Sequence, residues 1–174
     1  ANWESGSLPG AGDDVVIDGD AIIEAAAEIE VRDIELADGA SLTIRDSTLR
    51  FRDLSGGEAS QLDAQSTVLV GDSLETRSGF GFRFNPSLID IETITLGGPA
   101  TMSFGLGGAQ RARAPSSVGA GYHARLLADQ LVGDGLNLEI ELLYDYQPTG
   151  GAVLVIAELG QDGPAFAGLA EGAA

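Results

Sequence analysis

The feature that most constrains this chain is a period. Large apolar residues alternate with polar ones in short pairs, and the pairs recur about every 20 residues through the first hundred positions. One series runs Val15/Ile17, Ile34/Leu36, Leu54, Leu74 and Ile94/Leu96. A second runs Ile22, Leu42/Ile44, Leu62, Phe82/Phe84 and Met102/Phe104, and a third Ile29/Val31, Leu49/Phe51, Val68/Val70 and Leu88. Alternation with period two marks strands with one buried face. No single coil built of such strands buries its inward face alone, so three columns in phase fit stacked coils that share one core and pair through parallel ladders. Glycines keep the same frame. Gly19, Gly39, Gly57, Gly79 and Gly98 all fall between the first and second columns, where a sharp corner calls for positive φ. An antiparallel sandwich of hairpins would also alternate, but it does not explain three columns in phase. The expected fold is all-β: a right-handed parallel β-solenoid (β-helix) of about seven coils with about 20 residues per coil.

The frame breaks after Phe104. Residues 105–121 are small and glycine-rich, which predicts a protruding loop. Strand patterning then resumes at Leu126/Leu127, Leu131, Leu136/Leu138/Ile140/Leu142 and Val153/Val155. The expected organisation is one domain over 1–174: an N-terminal segment 1–12, regular coils 15–104, the glycine-rich loop 105–121, and irregular C-terminal coils with a tail, 122–174. With 44% apolar residues, a chain of 174 residues buries a core without disulfides or a structural metal. No helix beyond a turn or small cap is expected.

Composition excludes several chemistries. There is no cysteine, one histidine, and no lysine, so thiol catalysis, Schiff-base chemistry and a Walker A phosphate loop have no residues to work with. A Ser-His-Asp triad would depend on His123 alone, and a lone strand histidine is ordinarily a structural hydrogen bonder. A formal net charge of −18 argues against nucleic acid and against anionic membrane surfaces. No apolar run approaches the roughly 18 residues of a membrane span. An opening Ala1-Asn2-Trp3 without an initiator methionine fits a processed secreted protein, so an extracellular or cell-surface location is expected.

The candidate sites follow from charge and from the ends. Gly10 to Asp14 resembles half of a calcium-binding nonapeptide, and Asp13, Asp14, Asp18 and Asp20 cluster behind it; the reading is a calcium site set beside ordinary solvated turn aspartates. Asp33, Asp53 and Asp72 recur at one corner, where Arg32 and Arg52 would offset stacked like charges. Arg111 and Arg113 concentrate positive charge in the glycine-rich loop and are candidate contacts to an acidic partner. Outward charges such as Arg50, Arg77, Arg83 and Glu75 read as wet surface; no aromatic platform for a sugar accompanies them. At the ends of a solenoid the first and last rungs leave backbone groups that template pairing with another chain. Trp3 in the N-terminal segment and Phe166 and Leu169 in the tail are the expected assembly residues.

Two segments carry a family resemblance. Residues Trp3 to Asp18, reading Trp-Glu-Ser-Gly-Ser-Leu-Pro-Gly-Ala-Gly-Asp-Asp-Val-Val-Ile-Asp, and the stretch from Tyr122 to Phe166 with Leu136 to Leu142, Tyr146 to Gly151 and Val153 to Ile156 in order, resemble the ends of right-handed parallel β-helix units in bacterial secreted and autotransporter-like repeat proteins. The resemblance covers roughly the first 20 and last 50 residues. It implies stalks, adhesin shafts or surface scaffolds. The functional expectation is a secreted, non-enzymatic structural protein that self-associates head to tail as an extracellular filament or scaffold subunit, calcium being its one candidate cofactor. The alternative is a carbohydrate-binding or carbohydrate-cleaving β-helix whose partner is a surface polysaccharide.

Overall fold

The computed structural model describes residues 9–24, 28–112 and 120–160, and all regular structure among them is strand. The first coil is β1 (Asp14–Ile17), β2 (Asp20–Glu24) and β3 (Glu28–Glu30). The second opens with β4 (Asp33–Leu36) and β5 (Ser41–Arg45) and runs into β6 (Thr48–Gly56), a long strand whose two halves belong to successive coils. The same plan repeats through β7 (Gln61–Gln65), β8 (Val68–Thr76), β9 (Phe80–Asn85), β10 (Leu88–Leu96) and β11 (Ala100–Leu106). Two residues of the glycine-rich stretch, Gly105 and Leu106, thus still belong to a core strand. After it come β12 (Gln110–Arg111), β13 (Tyr122–His123), β14 (Arg125–Ala128), β15 (Gln130–Val132), β16 (Leu136–Leu142) and β17 (Ala157–Leu159).

The strands form a parallel β-solenoid with two faces. One sheet stacks β1-β4-β6-β8-β10-β14-β17, with β3 beside β6 and β15 beside β10; the other stacks β2-β5-β7-β9-β11-β16, with β13 and β12 joined at β11. Every pairing is parallel except Leu106 with His123. The first and third columns of the sequence therefore merge into one sheet, bent where Arg52, Asp72 and Glu92 fall between paired halves of β6, β8 and β10.

Ladders run rung to rung: Ile34–Leu54–Leu74–Ile94–Leu131 in one column and Leu42–Leu62–Phe82–Met102–Leu138 in another. Phe82 and Phe84, neighbours on the inward face of β9, lie with centroids 5.8 Å apart, and Phe84 meets Phe104 of the next rung at 5.6 Å, so an aromatic cluster fills the middle of the core. Such tilted and edge-to-face contacts add to the transfer energy of burial. On the opposite sheet Gly71 makes room for Phe51 of the rung below, since a Cβ there would sit 2.3 Å from the Phe51 ring.

The structure corrects the sequence frame in four places. Ile23, not Ile22, pairs with Ile44, and Ile22 faces solvent at 60% exposure: the first step of that column is 21 residues, and a one-residue slip turns a side chain to the other face. In the third column the inward residues are Leu49, Leu69 and Ile89, while Val68 and Leu88 lie on the outer face and are buried there with Ala112. Adjacent apolar residues at 68–69 and 88–89 left the alternation ambiguous. Of the five glycines only Gly39 and Gly79 adopt positive φ, at a left-handed corner completed by Ala59 with φ 53°; Gly57 is needed for another reason, because a Cβ would stand 2.6 Å from the Asp38 backbone nitrogen. Finally, four regular coils over 14–91 are followed by only two longer ones among the described residues, fewer than seven. Leu131 stacks on Ile94 only 37 residues later, because the connection 107–124 is inserted into the fifth coil, and the connection 143–156 lengthens the sixth.

One column escaped the apolar pattern. Ser47, Thr67 and Ser87 are buried at the corner that leads from the smaller sheet into the larger and satisfy carbonyls before it: Thr67 Oγ1 donates to Ile44 O at 3.1 Å, Ser87 Oγ donates to Ala64 O at 3.0 Å and accepts from Thr67 N at 3.0 Å. A turn buried inside a stack has no water for these groups, so hydroxyls replace it.

Candidate functional site

The bend of the larger sheet carries most of the ordered charge. Stacking places Asp14, Asp33, Asp53 and Ser73 in one outward column, with Arg32, Arg52, Asp72 and Glu92 one residue earlier. The recurring aspartates thus stack as Asp14, Asp33 and Asp53, whereas Asp72 continues the arginine column. Like charges one rung apart, about 4.8 Å, would repel. Here guanidinium groups separate them. Arg32 pairs with Asp14 and Asp33, its Nε donating to Asp14 Oδ1 at 2.7 Å; Arg52 reaches Asp33 at 2.6 Å and Asp53 at 2.8 Å.

The hydrogen bond from Arg32 holds the Asp14 carboxyl below its usual range. Asp53 is lowered first by the Ser73 hydroxyl, which donates at 2.7 Å, and then by Arg52. An open groove of about 510 Å³ runs beside this ladder, lined by Asp33, Glu35, Asp53 and Glu75 among others, with no aromatic ring in its wall. Further along the bend Asp72, Glu92 and Asp129 follow one another with no arginine between them and, among the described residues, no ion pair.

The four aspartates of the calcium reading point to different partners. Asp13 Oδ2 accepts from Gly10 N at 2.8 Å and closes a turn; Asp14 is committed to Arg32; Asp20 accepts from Ser41 Oγ at 2.5 Å on the other sheet; Asp18 is exposed between them. Among the described residues no three such side chains converge on one point. As a set they do not fit a calcium cradle.

Beyond β11 the chain returns to the outer face of the larger sheet at Ala112. Ala112 covers Val68 and Leu88, and Arg111 reaches Glu158 of β17 at 3.2 Å, where Arg125 also binds at 2.9 Å. Arg111 is therefore engaged within the chain; the Arg125 hydrogen bond holds the Glu158 carboxyl below its usual range. His123 is 1% exposed, with Nδ1 3.3 Å from Gly108 O. Burial pushes its pKa down, and Arg111 and Arg125 add to the cost of charging it. Arg50, Arg77 and Arg83 pair with Glu28, Asp38 and Glu141 on the exterior, and Glu75 is exposed. Arg113, Trp3, Phe166 and Leu169 lie outside the described residues.

The two ends differ. At the first coil Val15, Ile17, Ile29 and Val31 are buried, and Pro9 lines the same small apolar space as Val15, Ile17 and Ile23. At the last coil the core column opens. Phe84 and Phe104 are 0% exposed, but Ile140, next in their ladder, is 48% exposed and Leu142 is 56% exposed. Among the described residues no strand pairs with the outer edge of β16 or β17. The Ser47/Thr67/Ser87 repeat was readable at 20-residue spacing; the open rung carried no sequence signal, because its alternation is as regular as that of any core strand.

No protein-family model matches the chain, no curated protein matches it, and no solved structure matches it.

Proposed function

We propose that the protein is a non-enzymatic structural element of the extracellular space or cell surface, a building block that associates with copies of itself through the ends of its solenoid. The observation that carries this reading is the open sixth rung, where Ile140 and Leu142 continue a core column into solvent beside strand edges with which no described strand pairs. Edges of this kind add a further strand when one is offered, and a head-to-tail contact that does not close on itself grows into a filament. The resemblance of the two terminal segments to β-helix units of bacterial secreted and autotransporter-like proteins supports the same setting. So does the charge pattern: each described arginine except Arg45 has a carboxylate within the chain, so the acidic excess is left to face outward.

The alternative, a module for surface polysaccharide, draws on the groove beside the Arg–Asp ladder, which offers carboxylates but no ring on which a sugar stacks. Light scattering and electron microscopy at rising protein concentration, with and without salt and calcium, test the first reading. Linear assemblies are expected. A chain that stays monomeric throughout, together with a hit on a glycan array, overturns it in favour of the alternative.

A further inference from the structure

Exposed large apolar side chains are confined to the two ends of the stack. Among the described residues they fall at Val16 and Ile22 in the first coil and from Val132 onward at the last, and the rungs between carry none. Val16 and Val132 begin and end one outward column, 65% and 51% exposed, whose intervening members Glu35, Ser55, Glu75 and Thr95 are polar. Single surface valines are ordinary, but two at opposite ends of one column are what end-to-end stacking of copies would set side by side.

Neighbouring columns match in the same way. Asp14 begins the column that Gln130 ends, and Asp20 begins the one that Asn137 ends, so in both sheets a first-coil carboxylate would meet a last-rung amide. Asp14 and Asp20 already accept from Arg32 and Ser41, yet a carboxylate has lone pairs for a further donor. In the core, Ile23 of β2 is half-buried and begins the column that Ile140 ends. No described strand pairs with the outer edges of β1, β2, β15 or β16. Charge also selects the register. A slip of two residues either way sets Glu24 or Asp20 of β2 against Glu139, and like charges directly opposite are unfavourable. Without a slip Glu139 meets Ile22, and Glu24 meets Glu141, which Arg83 already pairs.

We infer that two copies join head to tail, the first coil of one stacking on the last coil of the other, with β1 parallel to β15 and β2 parallel to β16 in the register of the internal ladder. Val16 then lies beside Val132, Ile23 covers Ile140, and Gln130 and Asn137 donate to Asp14 and Asp20. The inference rests on the reading of the protein as a self-associating building block and adds the partner surfaces, their polarity and their register. Because each copy uses a different end, the contact is heterologous and repeats along one axis. A net charge of −18 on each copy opposes the contact until salt screens it.

The chain has no cysteine, so the contact is readable by cross-linking between copies. Val16→Cys and Val132→Cys variants, mixed in screening salt and mildly oxidised, are expected to give a covalent dimer of one with the other, because register partners on adjacent strands lie within disulfide reach. Neither variant alone, nor Val16→Cys mixed with Glu75→Cys, should bridge comparably. Val132→Asp should raise the concentration at which light scattering detects association about tenfold or more, with hydrogen exchange in β5–β8 unchanged. Bridging of Val132→Cys to itself, an unchanged threshold for Val132→Asp, or association of the parent chain without the mixed bridge overturns this register and leaves the self-associating function standing. A parent chain that scatters as a monomer at every concentration and salt overturns both.

Discussion

The regular coils and the C-terminal coils obey the same register but are not built alike. From Asp33 to Ile91 the rungs are closed by turns of a few residues, their core columns lie between neighbouring rungs, and a buried hydroxyl, that of Ser47, Thr67 or Ser87, satisfies the backbone at one corner of each. From 107 onward the ladders continue, Met102 on Leu138 and Ile94 on Leu131, yet long connections carry the chain between them and the last core residues meet solvent. Register alone, then, does not make a rung stable. A rung needs a neighbour on each side and short corners whose polar groups are met.

The largest contrast should appear in the core. Phe84→Ala removes a ring wedged between Phe82 and Phe104 and should cost about 3–5 kcal/mol by transfer and cavity terms. Val153→Ala, in the exposed connection of the sixth coil, should stay within about 0.5 kcal/mol. Equal effects in chemical denaturation would erase the distinction between the regions. The corner hydroxyls give the next step: Ser87→Ala leaves the buried Thr67 N–H without an acceptor and should cost about 1–3 kcal/mol.

Acid should separate the regions by order rather than by size. His123 has its pKa lowered by burial, so the unfolded chain takes up the proton first; stability is full above about pH 6.5 and declines as pH falls below it. Asp14 and Asp53, also lowered, belong to the regular coils, and their contribution is present above about pH 4 and lost only below it. Exchange measured along a pH series should therefore rise in 120–128 before it rises in β4–β8, and His123→Asn should remove the earlier step. A single coincident transition would contradict this. The smallest effect is expected at Ala59, which holds φ 53° where Gly39 and Gly79 occupy the same corner; Ala59→Gly should raise stability by up to about 1 kcal/mol.

The fold was legible because its period repeats in several independent residue classes. Apolar alternation and corner glycines both pointed to stacked coils, and the outward Arg–Asp corner showed at Arg32/Asp33 and Arg52/Asp53. Register was less legible wherever two apolar residues adjoin, as at Ile22–Ile23, Val68–Leu69 and Leu88–Ile89, because either fits an inward position and only the ladder decides. The ends were least legible. Whether Ile140 is covered depends on what lies above it, and no local pattern in β16 records that. Likewise Arg111 stood out as positive charge in a glycine-rich stretch, while its partner Glu158 lies 47 residues away.

The central claim is a parallel stack with a rung-to-rung register of about 20 residues, and the absence of native cysteine allows it to be tested by cross-linking. Glu35 and Ser55 are register partners on adjacent strands, both outward and exposed. Mild oxidation of a Glu35→Cys/Ser55→Cys variant should give an intramolecular disulfide in most molecules. Glu35→Cys/Glu75→Cys, two rungs apart at about twice the 4.8 Å strand spacing, should give none, because a disulfide does not span Cα atoms more than about 7 Å apart. Bridging of the distant pair, or none in the adjacent one, would contradict the stacked register on which every other conclusion depends.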